Sequence, residues 1–492
     1  MDGSEVAELE RSARRRLKRT VAHELDAEAC ELEGRPEAKS GLFSKSVTPA
    51  RELFQLAWPI AAAMLGETAT GLVDTKLVGG LGPGALGGVG IATTLMFLGY
   101  SFVFGITRGV KVRTAHAIGQ GRPLDGFVYA RSGILMGAVL GVVIMLACRD
   151  VSGVLRALGT DAAIVPFARD FLAAVTLGAP STCALAALIQ HRQAIGDSRT
   201  PMVIGIAGNI FNALFAWSLI YGHFGLPALG VRGGGWATAT TETLELAVMA
   251  VMLVRSEKRA RELAGAEETS RTLTFRGAAR EVASLGVPTG LQFGAEMLAF
   301  TTMTTILGGI GKDEIASHQI AITVIRVSFL PGIAVSEAAS VLVGQALGRR
   351  RLDEADVAVR NALKLAVGFM ACCGVLFALG GGLVAEFFSK DPAVVTIARR
   401  LLVVAAVFQV LDAVSIVLRG ALRGAKDVRV AAMIGIGVIW LCVPTGAYFL
   451  GKELGLGAVG GWLGFVGETT LGSILYWWRW TRGSWRRDYA PR

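Results

Sequence analysis

The sequence predicts an all-α membrane protein, with twelve transmembrane helices in two parallel six-helix lobes related by a pseudo-twofold axis around a central cleft. Three observations predict it. Long apolar runs carry no charge, Lys and Arg sort to one side of the resulting spans, and the chain repeats itself half-way along.

Of the 492 residues, 52% are hydrophobic and only 18% are charged, with a mean hydropathy of +0.53. A soluble domain carries about 25% charged residues. Residues 200–222 form a 23-residue stretch without a charge, and 365–385 and 430–450 are charge-free over 21 residues each. About 20 apolar residues are enough for a helix to cross the hydrocarbon core. Soluble enzyme, nucleic-acid binder and secreted scaffold are thereby set aside. The six cysteines (Cys30, Cys148, Cys183, Cys372, Cys373, Cys442) lie mostly inside apolar runs and read as small buried hydrophobes. The first 50 residues are polar and contain no cleavable signal peptide, so the first hydrophobic helix directs insertion.

Twelve segments follow in order: 52–75, 85–108, 127–148, 166–190, 201–221, 234–254, 284–307, 315–338, 358–384, 397–418, 430–450 and 458–478. They leave a cytoplasmic arm at 1–51, an N-lobe over 52–254, a polar connector at 255–283, a C-lobe over 284–478 and a tail at 479–492. On this division 38 Lys and Arg fall on the face holding both termini and ten on the other, with Arg326 left in mid-span. Positive charge stays in the cytoplasm, so both termini are expected there. The net charge of +10 is therefore topology, and no nucleic-acid partner is expected. The arm, with its basic cluster Arg14-Arg15-Arg16-Leu17-Lys18-Arg19, reads as solvated or resting on the membrane surface.

A shift of 229 residues superposes Pro59 on Pro288, Glu67 on Glu296, Gly79–Gly82 on Gly308–Gly311 and Gly119 on Gly348. At 230, Asp197 falls on Asp427; at 226, Gly234-Gly235-Trp236 meets Gly460-Gly461-Trp462 and Glu242 meets Glu468. A unit of six helices is even, so both copies enter from the same face and run parallel. Parallel repeats carry their site between them near mid-membrane.

Charges inside the spans are costly and face a bundle interior or an aqueous cavity. In the N-lobe these are Glu67, Asp74 and Glu242, with Asn212 and Thr238 as supporting polar groups. In the C-lobe they are Glu296, Arg326, Glu337, Asp412 and Glu468. A carboxylate in a low-dielectric site keeps its proton unless a cation neutralises it, which makes it a proton carrier or a Na⁺ ligand. The structural alternative is an internal salt bridge, with Arg326 a partner for Glu296 or Glu337 and Lys76 a partner for Asp74. The clusters Arg108/Lys111/Arg113 and Arg349/Arg350/Arg351 read as topological signals; Lys111 and Arg113 could instead select substrate from the cytoplasmic lip. Phe293, Phe300, Phe329 and Phe408 are the aromatics available for a cation-binding wall. No HExxH, GxSxG or GxxxxGK[ST] occurs, so nothing points to a protease or an ATP-driven pump.

Val73-Asp74-Thr75 followed by Gly79–Gly82, Ala316-Ser317-His318-Gln319, Val343-Gly344-Gln345-Ala346-Leu347-Gly348, and Phe408–Ala413 followed by Arg423-Gly424-Ala425-Lys426-Asp427 stand in order along the chain. In these segments the sequence resembles the multidrug and toxic compound extrusion (MATE) family, in its NorM-like bacterial branch, over about residues 50–480. The resemblance implies a cation-coupled antiporter. It assigns Glu296 and Asp412 to a second-lobe cation site, and Asp74, Asn212 and Thr238 to a first-lobe network. A further Asp of that network falls on Ala216 here. Lys76, Arg108, Lys111, Arg113, Arg326 and Glu337 depart from the family's usual pattern.

The expectation is a monomeric antiporter of the bacterial inner membrane. It exports organic, cationic and amphipathic compounds against Na⁺ or H⁺, with coupling at Glu296, Asp412 and Asp74. It uses no cofactor beyond the coupling ion and performs no enzymatic chemistry. A lipid-linked precursor flippase of the same superfamily, and a channel or membrane receptor, are the alternatives.

Overall fold

A computed structural model describes residues 49–148, 151–157, 160–264 and 273–489. The basic arm up to residue 48, part of the connector and the last three residues lie outside the described residues. Among the described residues twelve long helices form: α1 Pro49–Gly79, α2 Pro83–Gly119, α3 Pro123–Ala147, α4 Val165–Ala194, α5 Arg199–Tyr221, α6 Val231–Leu263, α7 Phe275–Ile310, α8 Lys312–Gly348, α9 Leu352–Phe388, α10 Pro392–Gly424, α11 Val428–Glu453 and α12 Gly457–Arg482. Eleven contain an expected segment whole, and α3 ends one residue short of the expected 127–148.

Local sequence sets the ends. Proline opens α1, α2, α3 and α10, where its missing N–H is not needed and its fixed φ suits the first turn. Gly222 closes α5 in the left-handed region at φ 79°, which costs a residue without a β-carbon little. Within α4 the backbone tightens to a 3₁₀ turn at Thr176–Gly178, just before Pro180. Pro444 removes a donor in α11, and the helix widens to π geometry over Gly446–Glu453. Eleven of the twelve are long and apolar enough to span a membrane. α12 is the one not among them; it is rich in glycine and carries Glu468 midway along its length.

The helices run past the expected spans into the polar flanks. α6 continues through Leu263, its polar end held by Glu257, which binds Arg131 of α3 at 2.7 Å and Arg261 at 2.9 Å. α7 begins at Phe275, so both ends of the 255–283 stretch are helical.

The internal repeat reappears as packing. In the first lobe α1 packs on α5, α5 on α6, α6 on α4, α4 on α3 and on α2, and α2 on α3. In the second, α7 packs on α11, α11 on α12, α12 on α10, α10 on α9 and on α8, and α8 on α9, the same pattern displaced by six. Each lobe has its own apolar interior. Tyr100, Leu172 and Cys183 belong to the first, and Met303, Leu402, Phe408 and Trp462 to the second. Trp462 donates its indole N–H to His318 Nδ1 at 3.0 Å, satisfying the one polar atom of that buried ring. Along α9, Leu376, Leu379, Leu383 and Phe387 are exposed. Such a face would be a liability in water and is solvated by acyl chains in a bilayer.

Between the lobes α2 packs on α7 and α1 on α8, α3 on α7 and α1 on α9, and α2 meets α8 on the pseudo-axis. The contact lies towards one end. Side chains of α2 are buried on nearly every face from Val103 onward, and those of α8 from Ala334 onward, whereas the first halves of both helices keep exposed positions. At that end backbone meets backbone. A β-carbon on Gly105 would strike Gly290, one on Gly286 would strike the Ile106 carbonyl, and Gly119 and Gly348 face each other.

Gly286 and Gly294 lie on the same helix, but nothing stands within 4 Å of a β-carbon at Gly294. Gly286→Ala is therefore expected to lower the thermal stability of the purified protein by about 1–3 kcal/mol. Gly294→Ala should be neutral or stabilising by up to about 1 kcal/mol. Equal effects in thermal unfolding would contradict the close contact.

Candidate functional site

The C-lobe gathers its intramembrane charges from three helices. Glu296 of α7 accepts from Gln292 Nε2 one turn earlier at 2.8 Å, and from Arg419 Nη1 of α10 at 2.6 Å. Gly435 of α11 leaves the space in which the Gln292 amide lies. Asp412 stands seven residues before Arg419 on α10, about 10 Å along the axis on the same face, within electrostatic reach of both Arg419 and Glu296. Glu468 of α12 is close to the same three charges. Ser473 of α12 donates to the Leu411 carbonyl at 2.7 Å and pins that helix beside Asp412. Three carboxylates thus surround one guanidinium.

The structural alternative offered Arg326 as a partner for Glu296, and the structure places Arg419 there instead. Arg326 is exposed and forms no ion pair with a described residue. Ser328, two residues on, points at α10 and accepts from Gln409 at 2.7 Å. Two residues are about 200° around a helix, so Arg326 faces away. Arg326 also cannot reach Glu337, which lies eleven residues along the same helix, about 16 Å away.

The N-lobe repeats the arrangement with different charges. Glu67 of α1 lies exposed, within electrostatic reach of Glu242 and Glu245 of α6. Thr182 of α4 donates to the Glu242 carboxylate, and Gly208 of α5 makes room for that of Glu245. Under the 230-residue shift Thr182 stands where the C-lobe has Asp412, and Ile189 where it has Arg419. Among the described residues the N-lobe cluster accordingly has no resident cation. Glu245, one turn beyond Glu242, was not singled out in the sequence.

The first-lobe network implied by the resemblance is only partly assembled. Asn212 donates to Thr238 Oγ1 at 3.3 Å, but Ala216 is a buried apolar residue, and no hydrogen bond joins Asp74 to either partner. The buried Oδ1 atoms of Asp74 and Asn212 have no partner among the described residues. Lys76 is exposed and does not pair with Asp74.

A third group of charges spans the lobe contact. Glu337 of α8 binds Arg108 of α2 at 2.7 Å and Lys111 at 2.5 Å. Arg113 binds Glu281 of α7 at 3.2 Å, and Tyr129 of α3 donates to that carboxylate at 2.5 Å. His116 Nε2 lies 2.8 Å from the Gly424 carbonyl, and Gln345 donates to the Ala194 carbonyl at 2.9 Å. In the loop after α10, burial and the neighbouring Arg113 pull the Lys426 ammonium down to about 8. Lys111, read as a topological charge with a place on the cytoplasmic lip as the alternative, is 2% exposed and closed inside an ion pair. Arg113 is likewise engaged across the lobes. Of the expected cleft aromatics, Phe300 packs on Phe465 within the C-lobe interior, ring centres 5.4 Å apart. Phe408 belongs to the same cluster. Phe293 lies at the lobe contact, with the Arg108 and Arg423 guanidiniums 4.3 and 5.1 Å from its ring centre.

Two repeated six-helix lobes, charged groups held inside each and a contact confined to one end define a multi-pass membrane protein of the secondary-transporter class. The MatE family profile matches residues 59–218 and 288–448, one match in each lobe, and the chain belongs to this family. It is 33% identical over 450 residues to the "Probable multidrug resistance protein NorM" of Burkholderia pseudomallei, covering 88% of this chain and 93% of that one. With the multidrug resistance protein MdtK of Yersinia pestis it shares 28% over 436 residues, covering 88% and 95%. The crystal structure of the eukaryotic MATE transporter AtDTX14 superposes with a TM-score of 0.80 at 18% identity, over 90% of this chain and 97% of that one.

Removing Arg419 would leave Glu296, Asp412 and Glu468 without their cation, and breaking a buried pair costs about 3–5 kcal/mol. Arg419→Gln is expected to lose stability of that order in a choline buffer and to regain part of it when sodium replaces choline. The same unfolding temperature as the unaltered protein in both salts would contradict the role given to the guanidinium.

Proposed function

We propose that the chain is a secondary antiporter of the bacterial inner membrane that exports organic compounds, amphipathic cations among them, in exchange for Na⁺ or H⁺. The observation that carries this reading is the placement of carboxylates inside both lobes of a molecule closed at one end only. The NorM and MdtK relatives, named as multidrug resistance proteins, supply the substrate class. The 38-to-10 distribution of Lys and Arg supports cytoplasmic termini. On that orientation the Gly119/Gly348 end is cytoplasmic, and the cleft opens outward.

In this reading Asp412, Glu296 and Glu468 form the coupling site, and Arg419 is its built-in counter-charge. A sodium ion or proton arriving at Asp412 releases that carboxylate's hold on Arg419. The guanidinium then pairs more fully with Glu296. A cationic substrate held by the same carboxylates meets a neutralised site and leaves outward. Glu67, Glu242 and Glu245 offer the N-lobe a second cluster of carboxylates. No residue needs to form or break a covalent bond.

The test is transport in proteoliposomes, with Na⁺ and pH gradients imposed separately on a fluorescent organic cation. Asp412→Asn is expected to insert normally and to lose ion-driven efflux, by about 5- to 150-fold if one ion's electrostatic coupling of about 1–3 kcal/mol is removed. Glu67→Gln, measured beside it, is expected to slow efflux if the N-lobe cluster takes part. Full activity of Asp412→Asn would overturn the coupling site, and transport down a gradient only would favour a channel.

A further inference from the structure

At the end where the lobes meet, a small pocket is lined by Arg108 and Lys111 of α2, Glu337 and Ser340 of α8, and Gly420 and Arg423 of α10. Three cations face one carboxylate. Glu337 gives one oxygen to Arg108 and the other to Lys111, and it forms no ion pair with Arg423. Arg423 is 6% exposed, and its Nε and Nη2 have no hydrogen-bond partner among the described residues. The Nε of Arg108 is unpartnered in the same way. The Phe293 ring beside both guanidiniums offers its π-face and no acceptor. Burying a charged donor without an acceptor is costly, and these donors belong to two residues from different lobes that line one pocket.

We propose that this pocket is an anion site, taking a compact monovalent anion, either a halide or a carboxylate group. The anion accepts from Arg423 and Arg108 and halves the excess of two positive charges that Glu337 leaves among the three cations. A guanidinium presents parallel donors suited to a carboxylate. Arg423 stands four residues beyond Arg419 on α10, and Phe293 three residues before Glu296 on α7, so the pocket lies about one helical turn from the Glu296–Arg419 pair, with Asp412 about 10 Å further along α10. A compound with a basic and an acidic group would span the pocket and Glu296, its basic end towards Glu296 and its acid on Arg423. This last placement rests on the export reading; the anion site does not.

The experiment uses the purified full-length protein in sodium gluconate, with sodium bromide or sodium acetate replacing gluconate at constant sodium and ionic strength. Thermal unfolding is expected to rise saturably with at least one of the two small anions. Arg423→Gln should raise the midpoint concentration by about tenfold or more, as loss of a charge-assisted hydrogen bond does. Arg423→Lys, which keeps the charge without the planar fork, should fall between. If Arg423→Gln does not fold, Arg108→Gln read in the same titration serves in its place. An acetate response, with export of a carboxylate-bearing dye reduced in Arg423→Gln more than that of a purely cationic dye, assigns the anion to the exported compound. A bromide response with both dyes affected alike assigns it to a free halide. No saturable response of the unaltered protein to either anion, or a midpoint unchanged in the variants, overturns the site. Absence of ion-driven export by the unaltered protein would instead overturn the export reading and leave the titration unaffected.

Discussion

One carboxylate of the second lobe, Glu337, holds two cations of the first, Arg108 and Lys111, where neither lipid nor open water surrounds them. Much of the architecture follows from keeping those three charges together. They lie where α2 and α8 are enclosed on all sides, and the glycines at 105, 286, 290 and 348 allow the backbones to come close enough to enclose them. An intact buried pair adds little net stability, because desolvation offsets attraction, yet removing one partner is costly. Its consequence is conformational. The lobes have a strong reason to meet in this register at this end and no equivalent reason at the other.

The two lobes share one packing scheme and differ in charge. Each places a glutamate from its first helix near one from its last, Glu67 with Glu242 and Glu296 with Glu468. The C-lobe adds Arg419 and turns the cluster into a network of three carboxylates around a guanidinium. The N-lobe puts Thr182 and Ile189 at the corresponding positions and leaves its carboxylates without a cation among the described residues. A fold written twice therefore carries two chemically unlike sites, and the asymmetry gives ion and substrate different places to act.

The twelve helices were legible in hydropathy, and their pairing in the internal repeat, because both depend on properties spread over many residues. The partners of individual charges were not. Arg419 follows the expected 397–418 span by one residue and so counted as a topological charge, whereas α10 runs on to Gly424 and carries it inside. Lys111 was displaced for the same reason, since α2 continues past residue 108 to Gly119. The proposed pairing of Arg326 with Glu337 was excluded by helix rise alone. The pairing of Arg326 with Glu296 depended on which face of α8 meets α10, and one sequence does not contain that. Glu245 followed from its spacing to Glu242, one turn away, and could have been found.

The central claim is that the Glu337 ion pairs hold the lobes together at one end while the other stays apart. Pulsed electron-electron distance measurement between spin labels tests it directly. One pair of labels, at Arg122 and Arg351, sits in exposed loops beside Gly119 and Gly348; the other, at Phe224 and Leu454, sits in exposed loops at the opposite end. Replacing Glu337 by Gln in the labelled, otherwise cysteine-free protein should lengthen and broaden the first distance and shorten the second. Unchanged distributions at both ends would contradict the claim.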